Sequence, residues 1–237
     1  MTVAELLAHV RSELAARVDP VYREGARNFS REALDLWGVR APDVRQIARA
    51  AYHEVKAWPP DQRDEFMDGL WKSGKLEEAG VAIYVYRRFG TQCAAREFRL
   101  FTSWVDRYVT NWAACDGVSS WLLAACLENA PALIRRLPAW TRSRNRWKRR
   151  AAIVSLLQEA KQGRQTAEIL EIAERTLSDA DDMVQKGVGW VLKETYPKKP
   201  REVVAFLKPR AATAPRLVLR IAAEKMTARD RAAVLAK

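Results

Sequence analysis

Apolar residues recur along most of this chain at the three- and four-residue intervals of amphipathic helices. The first such set is Val3, Leu6, Leu7, Val10 and Leu14. Thr2 and Glu5 have the spacing of a capping box, so the first helix is expected to begin just after Thr2.

Four further amphipathic segments follow, each running for about three or four turns between Pro or Gly residues. They are residues 41–58, 59–74, 75–90 and 94–109. Only VAIYVY, residues 81–86, has the composition of a strand, and a single strand has nothing to pair with. The pattern therefore predicts an all-α protein. No long linker interrupts it, so we expect residues 1–237 to form a single domain.

The second half of the chain carries an internal repeat. The segment WKRRAAIVSLL, from Trp147, aligns with MVQKGVGWVLK, from Met183, at an offset of 36 residues, so that Arg150 corresponds to Lys186. A weaker third copy, LVLRIAAEKM, places Arg220 another 34 residues on. Self-similarity at this period favours stacked helix pairs of the HEAT or armadillo kind, and fuzzy similarity among unrelated helices is the alternative.

Composition agrees with a helical fold and adds a strong charge. Ala, Leu, Arg, Glu and Lys dominate and cost little in a helix, while 49% hydrophobic residues exclude a disordered chain. The 41 Lys and Arg against 29 Asp and Glu leave a net charge of +12, which attracts polyanions such as nucleic acid. Some proteins are basic without such a partner. The positions of the charges along the chain therefore have to show whether nucleic acid is the partner.

The sequence gives no sign of a zinc site or a membrane span. Cys93, Cys115 and Cys126 lack CxxC spacing, and the two histidines, His9 and His53, lie far apart. We expect the cysteines to be buried free thiols in a reducing compartment. No apolar stretch reaches about 18 residues, and the N-terminal segment alternates charged and apolar residues, unlike a signal peptide. These features predict a soluble cytoplasmic protein.

The densest positive charge lies between Arg135 and Arg150, where eight of sixteen residues are basic and none is acidic. Such a run is usually a solvated face or a tail. Here Trp140 and Trp147 interrupt it and an apolar helix follows, which favours a phosphate-binding edge of a folded domain. Arg146 and Arg150 are four residues apart and would point the same way.

A second basic surface is predicted near residue 190. Lys186, Trp190 and Lys193 fall on one helical stripe, and the opposite side is apolar, with Val188, Val191 and Leu192. Gly187 and Gly189 cost about 1 kcal/mol each in a helix relative to Ala, so something is expected to approach the backbone closely. A packed neighbouring helix and a nucleic-acid backbone both remain open.

Asp116 stands out in the apolar segment Thr110–Glu128. It follows Trp112 by four residues, so the indole and the carboxylate would share one helical face. A lone Asp in a helix is more often bonded to loop amides or paired with an arginine. In a basic groove, however, a carboxylate repels phosphate and is poorly suited to simple DNA binding. It suits a reaction in which positive charge develops on the ligand.

Three motifs together resemble the HEAT-like-repeat DNA alkylation repair enzymes, the AlkD-type alkylpurine DNA glycosylases. They are NWAACD (111–116), RWKRRAAI (146–153) and QKGVGWVLKE (185–194). LWGVRAPDVRQIAR (36–49) is similar to the N-terminal repeat of that family, so the likeness covers nearly the whole chain. It implies a right-handed superhelical solenoid of about six HEAT-like helix pairs with a concave basic groove. The chain departs from the best-known pattern at Ala113, which bears on substrate range rather than on catalysis.

The resemblance also implies roles for particular residues. Asp116 matches the catalytic aspartate and Arg150 the active-site arginine. Trp112 and Trp190 match the two aromatics that contact the deoxyribose and the flanking backbone. Neighbouring cations are expected to bind DNA; these are Arg146, Lys148, Arg149, Lys186 and Lys193. The family acts on duplex DNA without a metal or cofactor, and we expect this chain to work on alkylated double-stranded DNA as a monomer.

The implied reaction is excision of N3- and N7-alkylated purines, and it is consistent with these residue types. Such a base is cationic and leaves readily, while charge moves onto the sugar as an oxocarbenium-like species. A carboxylate near C1′ would stabilise that charge and orient water, and indole faces favour the same cation. No lysine replaces Asp116, so a monofunctional glycosylase is expected.

Two other functions remain open from the sequence. A non-catalytic HEAT-like module would bind distorted or branched DNA through the same groove without releasing bases. A protein-binding scaffold would need an acidic partner and would leave Asp116 among the cations without a reason.

Overall fold

All regular structure in the described part of the chain is helical. The computed structural model describes residues 1–29 and 34–236. The α-helices are α1 (Val3–Ala15), α2 (Pro20–Phe29), α3 (Ala41–Val55), α4 (Pro60–Trp71), α5 (Leu76–Arg87), α6 (Ala95–Arg107), α7 (Trp112–Gly117), α8 (Ala124–Asn129), α9 (Leu137–Trp140), α10 (Arg146–Val154), α11 (Leu157–Gln162), α12 (Thr166–Thr176), α13 (Asp182–Thr195), α14 (Pro200–Leu207), α15 (Arg216–Ala222) and α16 (Ala228–Leu235). Short 3₁₀ helices occupy Gly90–Gln92, Pro131–Arg136, Lys208–Arg210 and Ala223–Lys225, and a π-helix occupies Val118–Leu123. The all-α prediction is confirmed.

The predicted segments become helices where the apolar pattern placed them. Helices α3, α4, α5 and α6 lie inside the four predicted segments, and the strand-like residues 81–86 belong to α5. The capping box is also present. The Thr2 amide donates to Glu5 Oε2 at 2.8 Å, and the Glu5 amide donates to Thr2 Oγ1 at 3.2 Å.

The chain divides into two compact units, each built from two stretches of sequence. One unit comprises Met1–Gln92 and Arg107–Gly117, and the other comprises Cys93–Asp106 and Val118–Lys237. The single-domain organisation expected from the sequence stays a prediction.

In the first unit, two buried carboxylates of α5 tie the helices to the loop before α3. Glu77 accepts the backbone amides of Trp37, Gly38 and Val39 at 2.8, 2.7 and 3.0 Å. Glu78 is 1% exposed and accepts Arg11 Nε at 3.0 Å and the Trp37 indole at 3.1 Å. Because each carboxylate has several donors, its burial is compensated.

In the second unit, α13 packs between α10 and α15, and two glycines set the spacing. A Cβ on Gly187 would lie 3.2 Å from Val154 and 3.3 Å from Arg150, both on α10. A Cβ on Gly189 would lie 2.8 Å from the Cβ of Ile221 on α15. A neighbouring helix therefore approaches each glycine closely, which is the simpler of the two explanations left open by the sequence.

The sequence repeat has a structural counterpart at two helix starts. The Asn145 side chain accepts the Trp147 amide at 2.9 Å, and the Asp181 side chain accepts the Met183 amide at 2.8 Å. The two N-caps are separated by the same 36 residues as the aligned segments. The offset therefore marks equivalent positions in two packed helices.

The three cysteines are free and buried, as predicted. Across residues 1–29 and 34–236, no single helix is long and apolar enough to cross a membrane. One bent pair, Trp112–Asn129 with Pro131–Trp140, passes that test together by length and composition alone.

Candidate functional site

The helix that carries Asp116 is short and held firmly within the first unit. The Asn111 side chain is buried and accepts the Ala114 amide at 2.9 Å, which caps the start of α7. At the other end, a Cβ on Gly117 would lie 2.9 Å from Ile83 Cδ1, so glycine lets α7 pack closely on α5. The cap at Asn111 and the close packing at Gly117 therefore fix the orientation of the α7 turn that carries Asp116.

Asp116 and Trp112 lie one turn apart on α7, and both are partly exposed to solvent. Their neighbours Ala114, Cys115 and Gly117 are buried. The helix thus presents an acid and an indole on its accessible face and packs its small residues inward. After Gly117 the helical hydrogen bonding widens into the π-helix, a geometry often found at functional sites.

The remaining residues predicted for catalysis lie in the second unit, on α10 and α13. Arg150 is 5% exposed, and its Nη1 donates to the backbone carbonyl of Met183 in the first turn of α13. Trp190 is partly exposed on α13. The structure therefore brings Arg150 to the helix that carries Trp190, whereas Trp112 and Asp116 share a helix in the other unit.

The exposed stripe predicted on α13 is confirmed. Lys186, Trp190 and Lys193 are partly exposed. The opposite side is fully buried, with Val188, Val191 and Leu192 each 0% exposed. Along this stripe the indole lies between two lysines, so the accessible side of α13 offers both an aromatic group and positive charge.

Each cation expected to bind DNA has a carboxylate partner in the structure. On α10, Arg146 pairs with Asp181 at 3.2 Å, Lys148 with Asp106 at 2.7 Å and Arg149 with Asp179 at 2.6 Å. On α13, Lys186 pairs with Asp182 at 2.9 Å and Lys193 with Glu224 at 2.8 Å. These ion pairs partly neutralise the positive charge that was predicted for α10 and α13 from the sequence.

Asp179 and Asp181, in the loop between α12 and α13, form ion pairs with arginines of α10. These pairs were not predicted from the sequence. Asp179 holds Arg149 through two hydrogen bonds, of 2.6 and 3.0 Å, and accepts the Asp181 amide at 2.9 Å. This hydrogen bonding raises the pKa of Arg149 above its usual value. The acidic segment SDADD, residues 178–182 at the start of α13, is visible in the sequence, but only the fold shows which arginines it contacts.

Other arginines of the basic run are left with unbalanced charge. Arg135, Arg136, Arg142 and Arg144 are exposed, and none of them forms an ion pair with a described residue. The tryptophans within the run belong instead to the core. Trp140 is 7% exposed and stacks on Phe98 at 5.3 Å, and Trp147 is 5% exposed beneath the Arg146 guanidinium.

No group of three or more His, Cys, Asp or Glu side chains that could hold a metal ion occurs in residues 1–29 and 34–236. Helix α7 offers one carboxylate and one indole, and helices α10 and α13 offer a second indole and several cations.

Comparisons with known proteins relate these features to a family. The model of the DNA alkylation repair enzyme family matches residues 10–226. One similar solved structure is a predicted DNA alkylation repair enzyme from Enterococcus faecalis. It aligns with a TM-score of 0.80 and 15% sequence identity, over 90% of this chain and 98% of the other. A comparison with curated proteins found no match.

At that identity the structural likeness establishes the fold, and the family model, which spans most of the chain, establishes the relationship. The chain belongs to the DNA alkylation repair enzyme family.

Proposed function

We propose that this protein is a monofunctional DNA glycosylase that hydrolyses the N-glycosidic bond of cationic N3- and N7-alkylated purines in duplex DNA. The observation that carries the proposal is the accessible carboxylate of Asp116, one turn from the accessible indole of Trp112, in a chain of this family. A carboxylate and an aromatic face are the two groups that stabilise a developing sugar cation.

The substrate supplies much of the driving force. Alkylation at N3 or N7 places a positive charge on the purine, so the base leaves without a strong general acid. As the bond to C1′ lengthens, positive charge develops on the deoxyribose. Asp116 would stabilise that charge and orient the attacking water, as carboxylates do in glycoside hydrolysis. Neither a metal nor a cofactor is needed for this step.

Trp112 and Trp190, both partly exposed, are proposed to contact the deoxyribose and the flanking backbone. Arg150 is proposed to act in the active site from its buried position on α10. Its bond to the Met183 carbonyl would hold the guanidinium still against the start of α13. A fixed dipole or charge near the reacting sugar loses little energy to reorganisation when the bond breaks.

Phosphate contacts are proposed for the five cations predicted from the sequence. The more exposed a side chain is, the more easily it can exchange its carboxylate partner for a phosphate. Arg146 and Lys186 have side chains 38% and 37% exposed and can exchange partners most easily. Lys148, Lys193 and Arg149 are only 20%, 20% and 18% exposed. Arg142 and Arg144 are exposed beside α10 without an ion pair to a described residue, so we add both to the phosphate-binding set.

The proposal is tested by measuring free bases released from duplex DNA. The protein should release 7-methylguanine and 3-methyladenine from methylated DNA. It should not release neutral uracil or hypoxanthine, because these bases carry no positive charge. A non-catalytic module would instead bind both DNAs and release nothing, and equal release of neutral bases would contradict the proposed role of substrate charge.

A further inference from the structure

The second unit contains a surface hollow on elements other than α7, α10 and α13. It has a volume of about 270 Å³ and lies between α6 and the 3₁₀–α9 segment. We call it the α6–α9 hollow. Its lining residues are Ala95, Phe98, Arg99, Thr102, Leu133, Arg136 and Trp140.

The floor of the hollow is apolar and aromatic. Phe98 and Trp140 stack on each other with ring centroids 5.3 Å apart and planes 23° apart. They are only 6% and 7% exposed, and Lys148 Nζ lies 5.6 Å from the Trp140 ring centroid, so little open aromatic face remains. Nucleic-acid sites that bind bases rely on open aromatic faces, which this floor does not offer. An apolar side chain needs only close contact and would suit it.

The rim of the hollow carries positive charge without a balancing carboxylate. Arg99 and Arg136 are exposed, and neither forms an ion pair with a described residue. The acid nearest in sequence to Arg99, Glu97, is held by the Ala94 amide and by Arg96. This contrasts with the five cations of α10 and α13 that were predicted to bind DNA, each of which has an acidic partner. Two unbalanced guanidinium groups at the edge of an apolar hollow are complementary to carboxylates flanking an apolar side chain.

The size of the hollow narrows the choice of ligand. Small-molecule sites usually enclose about 300–1,000 Å³, so 270 Å³ is small for a metabolite but adequate for one large side chain. A second copy of this basic chain is a poor match for the rim, because it carries 41 basic and 29 acidic residues. The charge and the shape together favour an acidic segment from a different protein.

We propose that the α6–α9 hollow binds a short acidic segment of a partner protein, with one Phe, Trp, Leu or Ile side chain in the hollow and flanking carboxylates on Arg99 and Arg136. Such a contact would recruit the enzyme to other proteins through α6 and α9, beside Lys148 of the proposed DNA-binding set, whose Nζ lies 5.6 Å from the Trp140 ring centroid. The proposal does not depend on glycosylase activity.

The test uses fluorescent peptides in which one central Phe, Trp, Leu or Ile is flanked by aspartates, with binding followed by anisotropy. Arg136→Glu and Arg99→Glu should each weaken binding by about tenfold or more, because one carboxylate contact becomes a repulsion. Arg135→Glu is the matched control. It makes the same charge change at the adjacent exposed residue outside the hollow and should alter binding by less than about threefold.

Two further measurements separate the hollow from general charge attraction. Thr102→Phe fills the hollow without changing any charge and should abolish binding, with thermal unfolding measured to show that the variant is folded. Replacing the central apolar residue of the peptide by Ser should have the same effect on wild-type protein.

Three results would overturn the proposal. Peptides that bind Arg135→Glu and Arg136→Glu equally would reveal diffuse electrostatics, and peptides that do not bind at low salt would show that the hollow is not a peptide site. The third is loss of single-stranded oligonucleotide binding in Arg136→Glu but not in Arg135→Glu, which would assign the hollow to nucleic acid.

Discussion

The ion pair between Arg149 and Asp179 gives a quantitative prediction about what holds α10 against the start of α13. The two side chains are 18% and 9% exposed and are joined by two hydrogen bonds, of 2.6 and 3.0 Å. Arg149 Nη1 also donates to the Ser143 carbonyl at 2.9 Å. Arg149→Ala would remove both of the arginine's hydrogen bonds to Asp179. The carboxylate would stay mostly buried and would keep the Asp181 amide as a donor.

The magnitude follows from the degree of burial. Breaking a fully buried ion pair costs about 3–5 kcal/mol, whereas an exposed pair contributes about 0–1 kcal/mol. For this mostly buried, two-bond pair we expect Arg149→Ala to lower the free energy of unfolding by about 2–3 kcal/mol. In a chain of this length that corresponds to a fall in Tm of roughly 5–10 °C.

A double-mutant cycle isolates the pair. Arg149→Ala, Asp179→Ala and the double variant are unfolded in urea, and the coupling energy should be about 2 kcal/mol. Arg175 and Glu171 on α12 form the control cycle, because their ion pair is exposed and should couple by about 0.5 kcal/mol or less. Coupling between Arg149 and Asp179 no larger than in the control would refute the argument that this pair is structural.

Three further predictions address the helix packing, the cysteines and the DNA surface. In urea unfolding, Gly189→Ala should destabilise the protein by about 1–3 kcal/mol, because its Cβ would lie 2.8 Å from Ile221. Gly187→Ala should stay within about 1 kcal/mol of wild type, since the contacts of its Cβ are looser and Ala favours the helix. None of the three cysteines should react with a chromogenic disulfide reagent until urea is added, because all are buried and a bond to Cys93, with burial, raises the pKa of Cys126; rapid labelling of the native protein would contradict this. Arg144→Ser should reduce the slope of log affinity for duplex DNA against log salt by about 0.9 while leaving the unfolding curve unchanged; an unchanged slope would remove Arg144 from the phosphate-binding set.

Much of the fold could be predicted because it depends on local patterns. The capping box at Thr2, the apolar periodicity of α3 to α6 and the exposed stripe of Lys186, Trp190 and Lys193 need only the residues of one helix. The offset of 36 residues is also visible in the sequence, because α10 and α13 both begin after a residue whose side chain caps the helix.

Other features depend on residues that are distant in sequence and could not be predicted from it. The carboxylate partners of Lys148 and Arg149 lie 42 and 30 residues away, so a run that contains no acid is nevertheless partly neutralised. The stacking that buries Trp140 joins α6 to α9, and the hollow beside it exists only once those elements pack. The π-helix after Gly117 has no marker in the letters VSSWLL.

The sequence proposes which residues form the candidate site, and their roles stay predictions; the structure adds how exposed each of them is. The accessibility of Asp116 and Trp112 agrees with the roles proposed for them. Arg150, in contrast, is buried against a backbone carbonyl, which sequence spacing alone could not indicate. Its neighbour Gly187 leaves room for that guanidinium, so one packed helix pair accounts for both residues.

The most direct test of the central claim is the single-turnover rate of 7-methylguanine release by Asp116→Asn, measured beside its affinity for the same duplex. Asp43→Asn is the matched control, since Asp43 is another partly exposed carboxylate, in the first turn of α3. The account predicts that Asp116→Asn lowers the rate by about 100-fold or more with little loss of DNA affinity, while Asp43→Asn leaves both unchanged. Release by Asp116→Asn at the wild-type rate would contradict it.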